Sequence, residues 1–397
     1  MQGVTMSSGP SSRERILAAL SFQERDYVPC CFSAFMALSE KCASQQQFID
    51  RQLEMGLDVS VNLAELPVRH APSVEIKQWR EQPPGAPYPV LHCEYQTPAG
   101  VLRRMVNQSE DWPHGDRVPF ISDHIIPRAT RHLVTPEDSL DALRYLFAAP
   151  TDEDVKAYRS RWAAAKGLAA AHGLVTVGGV AMHGDMACWL SGIEPLMIMC
   201  TDHPAFVRDY LAIIEDWNRG RMQVMLDEGV DIFVRRGWYE SADFWSPRTY
   251  REFQFPGLKR DAEQVHAAGA KLGYIMSCSS MPLLDQLMEA GVDILMGVDP
   301  AQDRMMNLPV LKERTMGRMA LWGGVCGYLT VECGSSADIR REVQNAISAL
   351  APGGGFILAP VTNVRADTDR SWENVRTLIE EWKRLREYPI KQAASRT

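Results

Sequence analysis

Short β-branched runs alternate along the chain with longer segments of helical periodicity, and a recurring phrase marks where one gives way to the other. Met55-Gly56-Leu57-Asp58 precedes VSVNL, Glu228-Gly229-Val230-Asp231 precedes IFVRR, and Ala290-Gly291-Val292-Asp293 precedes ILMGV. Each reads as a helix end, then a glycine able to take the left-handed cap conformation. The apolar run that follows is of the kind a parallel strand buried on both faces requires. Ala268-Gly269-Ala270-Lys271 before LGYIM is a looser fourth copy.

The runs predict strands at 28–35, 57–64, 175–182, 230–236, 271–277, 292–298, 319–325 and 355–361, and helices at 195–228, 248–268, 281–290, 336–350 and 372–387. Eight parallel strands with helices between them point to a closed (β/α)8 TIM barrel, with an open doubly wound sheet as the alternative. The rhythm fails between 66 and 150, where Pro67, Pro72, Pro83, Pro84, Pro87, Pro89 and Pro98 exclude long helices. This stretch reads as an insertion between the second and third strands. Its segment LHCEYQTPAGVLRRMVNQ alternates on either side of Thr97-Pro98-Ala99-Gly100, as a β-hairpin would. The hairpin is expected to lie over one end of the barrel, either as surface embellishment or as a lid enclosing substrate. Residues 1–397 thus form one barrel domain carrying insertion 66–150.

Composition narrows the function classes. With 42 Lys+Arg against 50 Asp+Glu the net charge is −8, which argues against partners such as nucleic acid or an anionic membrane. No apolar run reaches spanning length and the first residues lack a signal-peptide core, so a cytoplasmic protein is expected. The nine cysteines include no C-x-x-C pair and read mostly as small buried hydrophobes. No P-loop, G-x-G-x-x-G unit or H-E-x-x-H is present.

In a barrel of this kind reactive groups sit at the C-terminal ends of strands. The tail of the fourth predicted strand, RRGWYESADFW, concentrates two cations, four aromatics and two carboxylates in eleven residues. Trp238, Tyr239 and Trp245 could wall a planar or anionic organic substrate, with Arg235 or Arg236 as its charge anchor. The plainer reading is that Glu240 and Asp243 neutralise the arginines on the rim. His183, at the third tail, suits acid–base or ligand chemistry as readily as a structural role. Cys278, flanked by serines at the fifth, could bind metal or act as a nucleophile.

Several segments together carry a family likeness. They are Arg13-Glu14-Arg15-Ile16-Leu17 running on to Asp26-Tyr27-Val28-Pro29, SPRTYREFQFPGLKR at 246–260, SCSSMPLLDQLMEAGVDILMGVDP at 277–300, LWGGV at 321–325, and GGGFILAPVTNV with the later SWENV. Over nearly its whole length the chain resembles the uroporphyrinogen decarboxylase-like superfamily, which includes corrinoid-linked methyltransferases. In true decarboxylases that resemblance would bring an arginine-rich stretch after the first strand and a pyrrole-binding Asp after the second. Here those stretches read FSAFMALSEKC and VNLAELP, so uroporphyrinogen is not the expected substrate. The methyl-transferring relatives carry a zinc-binding His-x-Cys at the fifth strand tail and a further Cys or His near the eighth. This chain has Met276-Ser277-Cys278 and Thr362-Asn363. Only Cys278 remains as a metal ligand, and a thioether is a poor zinc donor. Either Glu240, His183 or Cys326 completes a zinc site or no metal binds, and the second outcome is the expected one.

The resemblance implies a methyltransferase or demethylase that moves a methyl group from a small substrate to cobalamin, free or on a corrinoid protein. A methoxylated aromatic is one such donor. Glu240, Tyr239 or His183 would protonate the leaving oxygen, and the strand-four aromatics, Met276, Thr362 and Asn363 would line the substrate. The alternative is a decarboxylase-type lyase in which Arg235 or Arg236 grips a carboxylate and Asp243 or Glu240 delivers a proton. A third reading is a binding protein without turnover. Homodimerisation is compatible with all three.

Overall fold

The computed structural model describes residues 9–62 and 65–390. Eleven strands are named in chain order: β1 (Ser60–Asn62), β2 (Glu75–Glu81), β3 (Val90–Thr97), β4 (Gly100–Asn107), β5 (Ala129–Arg131), β6 (Val175–Met182), β7 (Ile232–Arg236), β8 (Lys271–Ile275), β9 (Ile294–Val298), β10 (Ala320–Cys326) and β11 (Phe356–Val361). Seven of them form one curled parallel sheet in the order β1-β6-β7-β8-β9-β10-β11, the TIM-barrel-like arrangement expected from the sequence. The glycines of the recurring phrase take the left-handed conformation, with φ of +82° at Gly56, +74° at Gly229 and +97° at Gly291.

The first predicted strand, 28–35, does not form as a named strand. Its backbone nevertheless links the two edges of the sheet. Leu358 N–H donates to the Pro29 carbonyl (2.9 Å), Cys31 N–H donates to the Leu358 carbonyl (3.0 Å), and Asp58 N–H donates to the Cys30 carbonyl (2.9 Å). The ladder stays short for local reasons. Pro29 has no N–H, and the Cys30 N–H is taken by the Asp58 carboxylate at 3.2 Å. Predicted strand 57–64 is trimmed to β1, and residues 63 and 64 lie outside the described residues.

Prolines divide two predicted helices. The 195–228 segment becomes Ile193–Asp202 and Pro204–Leu226, and 248–268 becomes Pro247–Phe253 and Phe255–Ala267. Pro204 and Pro256 sit in the first turn of the second member of each pair, where their missing N–H is tolerated. The last predicted helix begins earlier than expected, at Asp369, because Thr368 caps it. None of the described helices is long and apolar enough to cross a membrane.

Alternate strand residues fill the barrel interior: Val175, Ile232, Val234, Ile294, Met296, Ala320, Trp322, Ile357 and Ala359. Helix Ser12–Leu20 adds Ile16, Ala19 and Leu20 to the same cluster. It lies across the N-terminal ends of the strands, with Arg13 paired to Asp231 just before β7 and the Ala19 carbonyl accepting from Gly355 N–H just before β11. That end of the barrel is plugged, which leaves the C-terminal end as the mouth.

The insertion contains the expected hairpin. β3 and β4 pair antiparallel out to Thr97 and Gly100, and β2 and β5 widen them to a four-stranded sheet. It docks on helix Gly184–Ser191, which follows β6 directly. The buried Arg104 guanidinium donates to the Trp189 carbonyl at 3.0 Å, and Leu133 N–H donates to the Leu190 carbonyl at 2.9 Å.

Candidate functional site

Strand β7 separates its two arginines by the ordinary alternation of a strand. Ile232 and Val234 point into the barrel, while Phe233 and Arg235 face the helix layer. Arg235 is fully buried and donates to Asp261 on helix Phe255–Ala267 (2.6 Å) and to Glu240 (3.0 Å). Glu240, also fully buried, accepts from Gly184 N–H at 2.6 Å and from the Tyr274 hydroxyl. Gly184 is needed for that approach, because a Cβ there would lie 2.6 Å from Glu240 Cγ. Burial alone would push the Glu240 carboxyl up, but Arg235, His183 and the Tyr274 hydroxyl together outweigh it and hold the group below its ordinary value. His183 adjoins this network, its Nδ1 2.8 Å from Gln254 Oε1 and its buried Nε2 without a partner. Trp245 is enclosed as well, with its indole N–H on the Tyr239 carbonyl at 2.7 Å.

Arg236, one residue on, reaches the mouth. Its guanidinium lies 3.8 Å from the Trp238 ring and 4.7 Å from the Trp189 ring. Both oxygens of Asp123, from the insertion, are 3.3 Å away. Asp123 also accepts from the Trp189 indole (2.7 Å) and the Tyr239 hydroxyl (3.0 Å). Burial and the Asp123 charge raise the Tyr239 phenol, which therefore keeps its proton at neutral pH. On the inner side Arg236 Nε is 3.0 Å from Asp185 Oδ2, yet the N–H does not point at it, and both atoms lack a directed hydrogen bond. Neither Asp185 nor Asp123 was singled out from the sequence. The string His183-Gly184-Asp185 at a strand tail was a usable signal for the first; nothing local marks the second.

Burial, and then the negative charge of Glu240, push Asp185 up to about 7, with Arg236 opposing. Between about 4 and about 7 the native state holds a proton that the unfolded chain has released, so this contribution to stability falls as pH rises through that window. Asp185→Asn removes the titration. Its stability relative to the parent should climb from pH 4.5 to 7.5 in urea unfolding, and a pH-independent difference would contradict the assignment.

Beside Arg236 the barrel mouth holds a cavity of about 50 Å³ bounded by Ser33, Trp238, Ile275, Met296, Trp322 and Thr362. Among the described residues the buried Trp238 indole N–H has no partner. The tails of β11 and β8 carry non-glycine residues in the left-handed region, Thr362 at φ +66° and Ser279 at φ +45°. For a β-branched residue this is strain of about 1–3 kcal/mol, a feature that clusters at working sites. Other expected residues stand apart from this cavity. Met276 packs fully buried in the outer core, Asn363 Oδ1 caps the Met36 N–H at 3.0 Å, and Asp243 accepts from the Ser279 hydroxyl at 2.6 Å.

Cys278 is half-buried, its Sγ 3.9 Å from Gln302 Oε1, and the Gln302 amide nitrogen reaches Cys326 Sγ at 3.6 Å. Burial raises both thiols. Among the described residues no three His, Cys, Asp or Glu side chains are grouped to hold a metal. Glu240 and His183 belong to the buried network around Arg235, so the zinc site implied by the resemblance does not fit the residues present.

The family model described as uroporphyrinogen decarboxylase matches residues 114–385, more than half of the chain. No curated protein matches the sequence. Among solved structures, a methyltransferase from Methanosarcina mazei shares the fold at 18% identity and a TM-score of 0.59, covering 95% of this chain and 99% of its own. A B12-independent methionine synthase from Shewanella sp. W3-18-1, in complex with selenomethionine, aligns at 10% identity and a TM-score of 0.49, over 90% and 96% of the two chains. With a curled parallel sheet, a plugged N-terminal end and a mouth built on β7, this chain belongs to the uroporphyrinogen decarboxylase family.

Proposed function

We propose that the chain is a methyltransferase that takes a methyl group from a small carboxylated donor, such as a methoxylated aromatic acid, and passes it to a corrinoid. The acceptor is cobalamin, free or on a partner corrinoid protein, and supplies a reduced cobalt as the methyl-accepting nucleophile. The observation that carries the reading is the juxtaposition of an uncharged cavity of about 50 Å³ with a guanidinium held between two indoles. The cavity suits a methyl-bearing end. The Methanosarcina mazei protein of the same fold is a methyltransferase, which agrees with the reading.

In this reading Arg236 takes the donor's carboxylate in place of Asp123, whose two 3.3 Å contacts are long for a charged pair. The Trp238 indole N–H gains an acceptor. As the methyl–oxygen bond breaks, the Tyr239 hydroxyl turns its hydrogen from Asp123 to the leaving oxygen and stabilises the negative charge that develops there. The insertion that brings Asp123 acts as the cover of the mouth.

One observation favours a second reading, a lyase: Asp185, raised to about 7 beside Arg236, could protonate a carbon left by departing carbon dioxide. The test is transfer of a labelled methyl group to cob(I)alamin from methoxylated aromatic donors with and without a carboxylate. Transfer from the carboxylated set supports the proposal. No transfer from any donor, with carbon dioxide released instead, replaces it with the lyase.

A further inference from the structure

All seven residues of β2 are exposed, and β2 is an outer member of the insertion's sheet. It pairs with β3 on one side, and no backbone hydrogen bond among the described residues reaches its other side. Alternate N–H and C=O groups therefore face outward as a template for another strand. Edge strands are ordinarily kept apart by their charges, and β2, with the sequence EIKQWRE, carries four. Those charges do not repel in every register.

Antiparallel pairing of β2 with itself about an axis at Gln78 would set Glu75 opposite the partner's Glu81, twice. An axis at Trp79 instead sets Lys77 opposite the partner's Glu81 and Glu81 opposite the partner's Lys77. Gln78 and Arg80, which would stand opposite each other, keep their own-chain bonds to Val118 and Gln108, and the two Trp79 side chains face each other. Lys77, Trp79 and Glu81 project from the same face of the strand, so the indoles would be flanked by both ion pairs. Trp79 is 43% exposed and already stacked on His92 at 4.6 Å, which holds its ring in place for such a contact. The strand is followed by Pro83 and Pro84, which confines the pairing to this segment.

We propose that β2 pairs with β2 of a second copy of this chain about a two-fold axis at Trp79. The result is a symmetric dimer in which two four-stranded sheets become one of eight. A seven-residue edge buries less than a standard interface, so the dimer belongs to the weak class with a dissociation constant in the micromolar range. The interface lies on the insertion and is independent of the methyl-transfer reading.

Sedimentation equilibrium of the full chain up to a few hundred micromolar, at low salt, tests it. The expected result is a monomer–dimer equilibrium that Lys77→Glu alone or Glu81→Lys alone weakens by about 10-fold or more, since each turns two attractive pairs repulsive. Two rescues should restore it: the double exchange Lys77→Glu with Glu81→Lys, and an equimolar mixture of the two single variants. Both return opposite charges to facing positions. Both substituted residues are exposed, Glu81 lying 3.1 Å from His92 Nε2 of its own chain, and unchanged thermal unfolding of each variant will establish that the fold is retained. A chain that stays monomeric throughout, or a dimer that both single substitutions leave unaffected, overturns the proposal. So does failure of both rescues.

Discussion

Arg235→Met is expected to cost about 3–5 kcal/mol of folding stability, the largest effect of any single substitution around the mouth. The arginine is enclosed between Glu240 and Asp261, and removing it leaves two carboxylates facing each other with no cation between them. Burial already pushes Asp261 up against the opposing pull of Arg235, and without that pull both acids must take up protons or admit water. Adding Glu240→Gln should recover part of the loss, because it removes one of the stranded charges while keeping an acceptor for the Gly184 N–H. Urea unfolding of the parent, single and double variants measures both effects. A loss below about 1 kcal/mol in the single variant would mean that the network contributes little beyond its volume.

Arg236→Lys tests the neighbouring residue for function. The substitution keeps the charge but loses the planar fork and the stacking between Trp238 and Trp189. A charge-assisted hydrogen bond to substrate contributes about 1.5–3 kcal/mol, so kcat/KM for carboxylated donors should fall by roughly 10- to 150-fold. Uncharged donors of the same shape should lose less than about 3-fold, since they leave the cation at position 236 beside Asp123 in both proteins. Equal losses for both donor classes would remove Arg236 from substrate recognition.

These two adjacent residues show where reading the sequence stops. That β7 carries the chemistry-bearing tail was legible, because the glycine-capped phrase before it and the position of strand tails in a barrel are local and topological facts. Which arginine faces the mouth was not. Ile232, Phe233 and Val234 are all apolar, as expected of a strand buried on both faces, so the alternation that would show its phase is missing. Strand β6 at Val175–Met182 and helix Ser336–Leu350 lie where the sequence places them, since each is bounded by strong local signals. The 28–35 run was overread. Its apolar pattern suits a strand, but Pro29 and the remote Asp58 carboxylate limit the ladder.

By itself, then, the amino-acid sequence determined the succession of helices and parallel strands, the proline-bounded insertion with its hairpin, and the resemblance that the family match bears out. These depend on neighbours within a few positions of one another. The tertiary structure alone decided that Asp123 meets Arg236 across 113 residues of chain. It also decided that burial, and then Glu240 from far along the sequence, raise Asp185 to about 7. Charge and burial act through space, and only the curled sheet and the docked insertion set those distances.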